Sequence, residues 1–343
     1  MTFAKDSGIS GGNADGTSTG ISISVVRQLN EADAAAIQAL AETATEADGV
    51  GPLSEHVRLH LKYGGDADAW HFIARRLSPQ GNELIGYAHL DKTDLVEGPS
   101  AELVVTPTAR RQGVGGALLD SLKLKLSRRR GDGPLRLWAH GALPGADRLA
   151  KSRGMELFRE LWLMARPLTG PGSELPPIPA VEGVTIAAFR PGVDEQAWLD
   201  LNARAFAHHP EQGSMTLDDL RQRMTEPWFD PAGFFLGWRG DQLVAFHWTK
   251  VHGGDTGAAD DDHANHEPIG EVYVVGVDPD QQGGGLGKAL TLAGLHHLRD
   301  RGLHEVMLYV DADNTAAVQV YTKLGFARRS ADVMYRAVEA ARA

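Results

Sequence analysis

Apolar and polar positions along this chain fall into two series that run in the same order. In the first, period-2 alternation predicts strands at residues 21–29, 70–77, 83–90, up to 105, 135–139 and 157–165. Helical spacing predicts helices at 31–44, 55–62, 114–129 and 145–153. In the second series, strands are predicted at 185–189, 234–238, 243–251, 271–277, 306–310 and 328–336. Helices are predicted at 195–206, 217–225, 286–299 and 315–324. Pro79-Gln80-Gly81-Asn82 and Arg239-Gly240-Asp241 mark a hairpin turn in each half. Such an order predicts two tandem α/β (α+β) domains, each a mixed, mostly antiparallel sheet flanked by helices.

A glycine turn stands at the same place in both series. It reads Arg110-Arg111-Gln112-Gly113-Val114-Gly115 in the first and Gln282-Gly283-Gly284-Gly285-Leu286-Gly287 in the second. Gln282 follows Arg110 by 172 positions, and Pro279 follows Pro107 by the same 172. A strand, a glycine turn and a helix start make an anion site, because unpaired backbone N–H groups and the helix dipole converge there. Glycine lets the backbone approach phosphate oxygens closely. The repeat predicts two cradles for a phosphorylated cofactor.

Between the series, Pro167 to Pro179 is dense in proline, which excludes helix and central strand and predicts an extended linker. Residues 1–20 carry almost no large apolar side chain and predict a disordered tail. The expected organisation is tail 1–20, N-terminal domain 21–166, linker 167–180 and C-terminal domain 181–343.

Bulk composition narrows the function. The 343 residues hold 34 Lys+Arg against 45 Asp+Glu, a formal charge of −11. Nucleic acid is thereby disfavoured as the main partner, while a local positive field for a polyanionic cofactor remains possible. The absence of cysteine rules out disulfides and thiolate metal sites. No apolar run reaches a membrane span, and the N-terminus lacks signal-peptide features, so a cytoplasmic, non-membrane monomer is expected.

The element order, the Arg/Gln-x-x-Gly-x-Gly turn after the fourth strand and the distal Tyr321-Thr322-Lys323-Leu324-Gly325-Phe326 resemble the GNAT acetyltransferase superfamily over nearly the whole chain. Three further segments are similar to its mycothiol synthase family. These are His209-Pro210-Glu211-Gln212, Phe246-His247-Trp248-Thr249-Lys250-Val251-His252, and Gly270 to Pro279. That resemblance implies acetyl-CoA as donor and the amine of cysteinyl-glucosaminyl-inositol as acceptor, the last step of making mycothiol in actinobacteria.

Under that reading, Gln282, Gly283, Gly284, Gly285, Leu286, Gly287 and Lys288 hold the pyrophosphate, and Val275, Gly276 and Val277 offer backbone groups to the pantetheine arm. One of those N–H groups would stabilise the oxyanion. The resemblance places the base at Glu271 and the acid that protonates the thiolate at Tyr321. An α-amine with a pKa near 7.7–8.0 asks little of its base, so a carboxylate acting through water suffices. Asn314 is expected as a helix N-cap that also touches the cofactor. Glu55, Glu211, Lys250 and Tyr309 lie in segments assigned to the acceptor.

The first half is expected to bind CoA through Leu103, Val104, Val105, Arg110, Arg111, Gln112, Gly113, Val114 and Gly115. It is not expected to transfer acetyl. At the 172 offset Glu271 maps to Pro99, and Glu102, three residues on, points to the opposite face. Aligning Gly154 with Gly325 puts Ala150 in place of Tyr321. No metal is expected: Asp260, Asp261, Asp262, His263 and His266 read as a solvated loop, and His296 and His297 as neighbours facing different ways. Two alternatives stay open: a tandem GNAT enzyme acting on another small amine or a peptide N-terminus, and an acyl-CoA sensor without turnover.

Overall fold

The computed structural model of the chain describes residues 20–64, 69–78, 81–93, 98–127, 133–207, 210–253 and 267–338. The expected tail, apart from Gly20, and the Asp260 to His266 loop lie outside the described residues. In chain order the elements begin with β1 (Ile21–Val26), α1 (Glu31–Asp48), α2 (Glu55–Tyr63), β2 (Trp70–Ser78), β3 (Gly81–Asp91) and β4 (Ser100–Val105). There follow α3 (Val114–Ser127), β5 (Arg136–Ala139), α4 (Pro144–Ser152), β6 (Met155–Pro167), β7 (Thr185–Ala188), α5 (Glu195–Ala205) and α6 (Pro210–Gly213). The chain ends with α7 (Leu217–Thr225), β8 (Phe234–Arg239), β9 (Gln242–His252), β10 (Ile269–Val277), α8 (Leu286–Asp300), β11 (Glu305–Asp311), α9 (Thr315–Lys323) and β12 (Ala327–Ala337). Every predicted strand and helix is present, with shifted ends.

Local chemistry explains the boundaries. Asn30, Ser54 and Thr216 cap α1, α2 and α7 with side-chain oxygens, and Thr216 forms a capping box with Asp219. Gly49 and Gly64 end α1 and α2 in the left-handed conformation that glycine adopts without penalty.

The chain divides into two compact units, but not at the proline-rich stretch. The first unit is Met1–Glu160 with Asp332–Ala343, and the second is Leu161–Ala331. In the first, the strand order is β1-β2-β3-β4-β5-β12. β4 and β5 run parallel, and β12 lies antiparallel on β5 with Val333 opposite Ala139. In the second, the order is β6-β11-β10-β9-β8-β7, with β10 and β11 parallel and Leu161 to Pro167 of β6 antiparallel to β11.

The terminal strands are thus exchanged. The last strand of the first half completes the second sheet, and the last strand of the chain completes the first. Both are anchored by burial. Val333 and Tyr335 of β12 join the core of the first unit, and Met164 of β6 joins that of the second. Arg166 is buried and donates to the carbonyls of Pro167, Leu324, Gly172 and Glu174. Residues 167–180, expected as a spacer, belong to the second unit because this guanidinium and the packing of Leu168 and Leu175 draw them onto it.

Each unit is three-layered. In the first, Phe72 and Ala88 face α3, while Ile73, Tyr87 and Val104 face α1 and α2, as strand alternation requires. In the second, Phe246, Trp248 and Val274 pack against α5 and α7. Val306, Leu308 and Val310 pack against α8 on the other face.

Candidate active site

Strand β10 carries a bulge at Tyr273. Val272 stands opposite Thr249 and Val274 opposite Trp248, so Tyr273 is the extra residue. Parallel pairing of β10 with β11 covers Gly270, Glu271 and Val272 and stops there. From Tyr273 to Val277 the β11-facing edge of β10 keeps its backbone donors and acceptors outside the ladder. That edge leads into the glycine turn.

The turn has the conformation a cradle needs. Gly283 and Gly285 have φ of 85° and 81°, in the left-handed region where a side chain is strained. A Cβ at either would project into open space, with no protein atom within 4 Å. Gly285 is the N-cap of α8 and supplies no side-chain cap, so the first-turn N–H groups stay unpaired within the helix. Lys288 is exposed in that turn. Gly287 lies 3.5 Å, counted from an added Cβ, from Val277. Gly276 answers to a different constraint: a Cβ there would lie 2.4 Å from the Phe246 ring, so its glycine serves core packing. The uncapped helix start, the open face of the glycines and the split strands fit a CoA pyrophosphate and pantetheine arm.

Glu271 and Lys250 are cross-strand neighbours on one face of the sheet, and both are buried. Glu271 Oε2 is 2.6 Å from Nε2 of His252, itself buried. No sequence motif gives His252 a role; the alternation Lys250-Val251-His252 opposite Glu271 is the available signal. Lys250 is buried beside aromatic rings. Its Nζ lies 4.6 Å from the Trp228 ring centroid and 5.4 Å from that of Tyr273. Arg223 donates to the Tyr273 hydroxyl at 3.1 Å.

Tyr309 is 44% exposed and lies two residues beyond Met307, the parallel partner of Glu271, on the same sheet face. Tyr321 reaches the sheet from the other side. It packs with Val275 against the cluster of Leu308 and Val310. Burial pushes its phenol up to about 12, which keeps it protonated. Asn314 caps α9 by accepting from Ala317 N at 3.1 Å. Glu211 falls in α6, which Gln212 ties to α5 through paired amide bonds with Asn202. Glu55 opens α2 in the first unit, half-buried and next to the Ser54 cap. His296 and His297 turn to separate partners, the Pro176 carbonyl and Asp230.

The first unit repeats the cradle and changes its surroundings. Arg111 takes the left-handed conformation of Gly283 with φ of 62°, and Gly113 that of Gly285 with φ of 87°. The Arg110 guanidinium holds the Val105 carbonyl at 3.1 Å and both Asp48 oxygens at 2.7 Å. Gln112 is bonded to the Thr108 carbonyl. The second unit reverses the polarity of this tie, with Arg204 of α5 bound to Asp278 after β10.

Strand β4 pairs with β3 without a bulge, so the offset falls by one before it. Ser100, opposite Asp91 and beside Arg136, takes the place of Glu271, opposite Lys250 and beside Met307. Pro99 does not. Glu102 is then two residues on and shares that face rather than pointing away. It accepts from Ser54 N at 2.7 Å and lies 3.6 Å from His140 Nε2. His140 Nδ1 is 2.9 Å from Asp332, which also accepts from Gly141 N at 2.7 Å. Burial raises the Glu102 carboxyl, but hydrogen bonds and the charge of His140 outweigh it and bring it down to about 2. Burial likewise lowers His140, and its bond to Asp332 together with the nearby Glu102 carboxylate overturns this and lifts it to about 10.

Residues 196–326 match the Acetyltransferase (GNAT) family. The chain is 65% identical over 327 residues to a mycothiol acetyltransferase of Catenulispora acidiphila, covering 93% of this chain and 99% of that one. It is 52% identical to a mycothiol acetyltransferase of Streptosporangium roseum, covering 90% and 97%. Among solved structures, a GCN5-related N-acetyltransferase from Sphaerobacter thermophilus superposes with TM-score 0.62 at 26% identity, covering 92% and 95%. A tandem GNAT protein of clavulanic acid biosynthesis shares the fold, with TM-score 0.63 at 18% identity over 92% and 98%. Two glycine cradles in tandem, a carboxylate at the Glu271 position in the second where the first has Ser100, and this degree of identity over nearly the full length agree: the chain belongs to the mycothiol acetyltransferase family of GNAT enzymes.

Proposed function

We propose that the protein acetylates the cysteinyl amine of cysteinyl-glucosaminyl-inositol, with acetyl-CoA as donor, at the second unit. Acetyl-CoA supplies the acetyl group as a thioester: the amine nitrogen bonds to the carbonyl carbon, the C–S bond breaks, and the products are the amide and CoA thiol. The observation that carries the reading is the buried Glu271 carboxylate, bonded to His252, at the point where β10 parts from β11.

The protein's residues divide the work. Unpaired N–H groups of the Gln282 to Gly287 turn and the α8 start receive the pyrophosphate. The β10 edge from Val275 to Val277 orients the pantetheine arm, and one of its N–H groups stabilises charge on the carbonyl oxygen. Glu271 takes the proton that the amine loses, directly or through water, and His252 shares it across their hydrogen bond. Tyr321, approaching from the opposite side of the strand gap, gives its hydroxyl proton to the departing sulfur. Lys250 and Tyr309, on the face of Glu271, and Glu211 of α6 contact the polyol acceptor, with Glu55 assigned by resemblance alone.

The first unit keeps the cradle and lacks the proton carriers, with Ser100 and Ala150 at the positions of base and acid. It holds CoA without transferring acetyl. No helix among the described residues is long and apolar enough to cross a membrane, which suits a soluble acceptor.

Incubation with acetyl-CoA and cysteinyl-glucosaminyl-inositol, with products resolved by chromatography, tests the assignment. Acetylated product supports it and its absence overturns it. Detection by thiol reagent is unsuitable because the acceptor carries its own thiol.

A further inference from the structure

The first unit holds an imidazole cluster that acetyl transfer does not use. His56 and His60 stand four residues apart on α2, so they share one helix face. His89 stands on β3, on the sheet face that α2 covers. One ring nitrogen from each of the three lies within 4.8 Å of the others. The His56 and His60 ring centroids are 4.1 Å apart, and those of His60 and His89 are 5.2 Å apart.

The surroundings prepare these rings as lone-pair donors. Tyr87 stands between two histidines, its hydroxyl 2.7 Å from His71 Nδ1 and 3.4 Å from His89 Nδ1. Donating along the shorter contact, Tyr87 accepts Nδ1–H of His89 and leaves Nε2 of His89 with its lone pair. His89 is 1% exposed, and that Nε2 has no hydrogen-bond partner among the described residues. A buried acceptor left so is destabilising, and a bound cation would relieve it. On the outer side, Asp91 Oδ2 is 2.8 Å from His56 Nε2. A carboxylate behind a ring fixes its tautomer and puts the lone pair on Nδ1, the arrangement found behind metal-bound histidines.

We infer that His56, His60 and His89 form a binding site for a divalent transition-metal ion of the Zn²⁺ class. Three imidazoles and no thiolate suit Zn²⁺, Co²⁺, Ni²⁺ or Cu²⁺ over Mg²⁺ or Ca²⁺. Tetrahedral ligation at Zn–N of about 2.0–2.1 Å brings nitrogens to about 3.3 Å, so the rings close inward by roughly 1 Å on binding. Three protein ligands leave a fourth position for water or a small donor. His56, with its side chain 40% exposed, gives the ion a way in from solvent. The site stands independently of the acetyl-transfer reading, since none of its residues belongs to that machinery.

The test is calorimetric titration of the chelator-stripped full chain with ZnSO4, with Co²⁺ absorption as a second probe. Wild type should bind one Zn²⁺ per chain at this site and give the visible band of tetrahedral Co²⁺. His89→Gln and His60→Ala should weaken that event at least ~100-fold, and Asp91→Asn about 10–100-fold. His304→Ala, at an exposed histidine elsewhere, should leave it unchanged. Zn²⁺ should raise the melting midpoint of wild type and not of His89→Gln, a readout that needs no activity. The proposal is overturned if wild type shows no saturable Zn²⁺ binding. It is equally overturned if correctly folded His89→Gln, checked by circular dichroism, binds Zn²⁺ as wild type does.

Discussion

Nε2 of His252 and Oε2 of Glu271 lie 2.6 Å apart on adjacent antiparallel strands, both buried. A carboxylate so placed has an outlet for the proton it collects. Replacing Glu271 with Gln keeps the shape and removes the base. We expect kcat to fall by about 10²–10⁴, the usual contribution of a positioned base, with little change in the KM for acetyl-CoA. His252→Gln should lower kcat less, because water can still carry the proton from Glu271. Steady-state rates from chromatographic product assays decide both, and residual turnover in Glu271→Gln with Tyr321→Phe measures any transfer by the first unit.

Tyr321 has its phenol pushed up to about 12 by burial. It therefore remains a proton donor throughout the working range, and no loss of activity between pH 8 and 10 should trace to it. Tyr321→Phe should cut kcat by about 10²-fold without shifting the alkaline limb. The same shift bears on stability. The unfolded phenol releases its proton near 10.0, before the folded one does, so this contribution is full below pH 10.0 and fades towards 12. Melts of the wild type and Tyr321→Phe across that range should converge as pH rises.

Gly285 has φ of 81° and open space where a Cβ would stand. Gly285→Ala adds about 1–2 kcal/mol of left-handed strain and puts a methyl where the pyrophosphate would approach. The KM for acetyl-CoA should rise about tenfold or more, with the melting midpoint lowered modestly. An unchanged KM would remove this turn from the cofactor site.

Asp332 ties the last strand to the first unit through His140 and Gly141. Asp332→Ala leaves a buried imidazolium without one partner and should destabilise by about 3 kcal/mol. Because His140 rises from 6.5 to about 10, its contribution is complete below pH 6.5 and is lost as pH climbs through 10. Glu102, lowered from 4.5 to about 2, contributes fully above 4.5 and loses that as pH falls through 2. The network should therefore be strongest between pH 4.5 and 6.5. In Asp332→Ala, the decline above 6.5 should flatten in melts taken over a pH series.

Element types were legible because each half has clear periodicity and strong local punctuation. Asn30, Ser54 and the positive-φ glycines mark helix ends in the sequence itself. Glu271, Tyr321 and the glycine turn were legible as a motif; their assembly was not. His252 meets Glu271 only through strand register, and Asp332 meets His140 across 192 positions. The bulge at Tyr273 shifts one offset by a single residue and moves the counterpart of Glu271 from Pro99 to Ser100. The bulge is masked because residues 272–277 are apolar or glycine on both faces of the strand, and the exchange because each exchanged strand alternates just as an unexchanged one would.

The exchanged β12 also sets a timetable for the nascent chain. Residues up to 160 leave the ribosome early, yet their sheet ends at β5 until residues 333–336 arrive. The amino-terminal unit is therefore the last to finish, and a fragment cut within residues 167–180 would release two pieces, each with a bare strand edge. A gene encoding the carboxy-terminal half alone should yield protein that aggregates rather than a minimal enzyme.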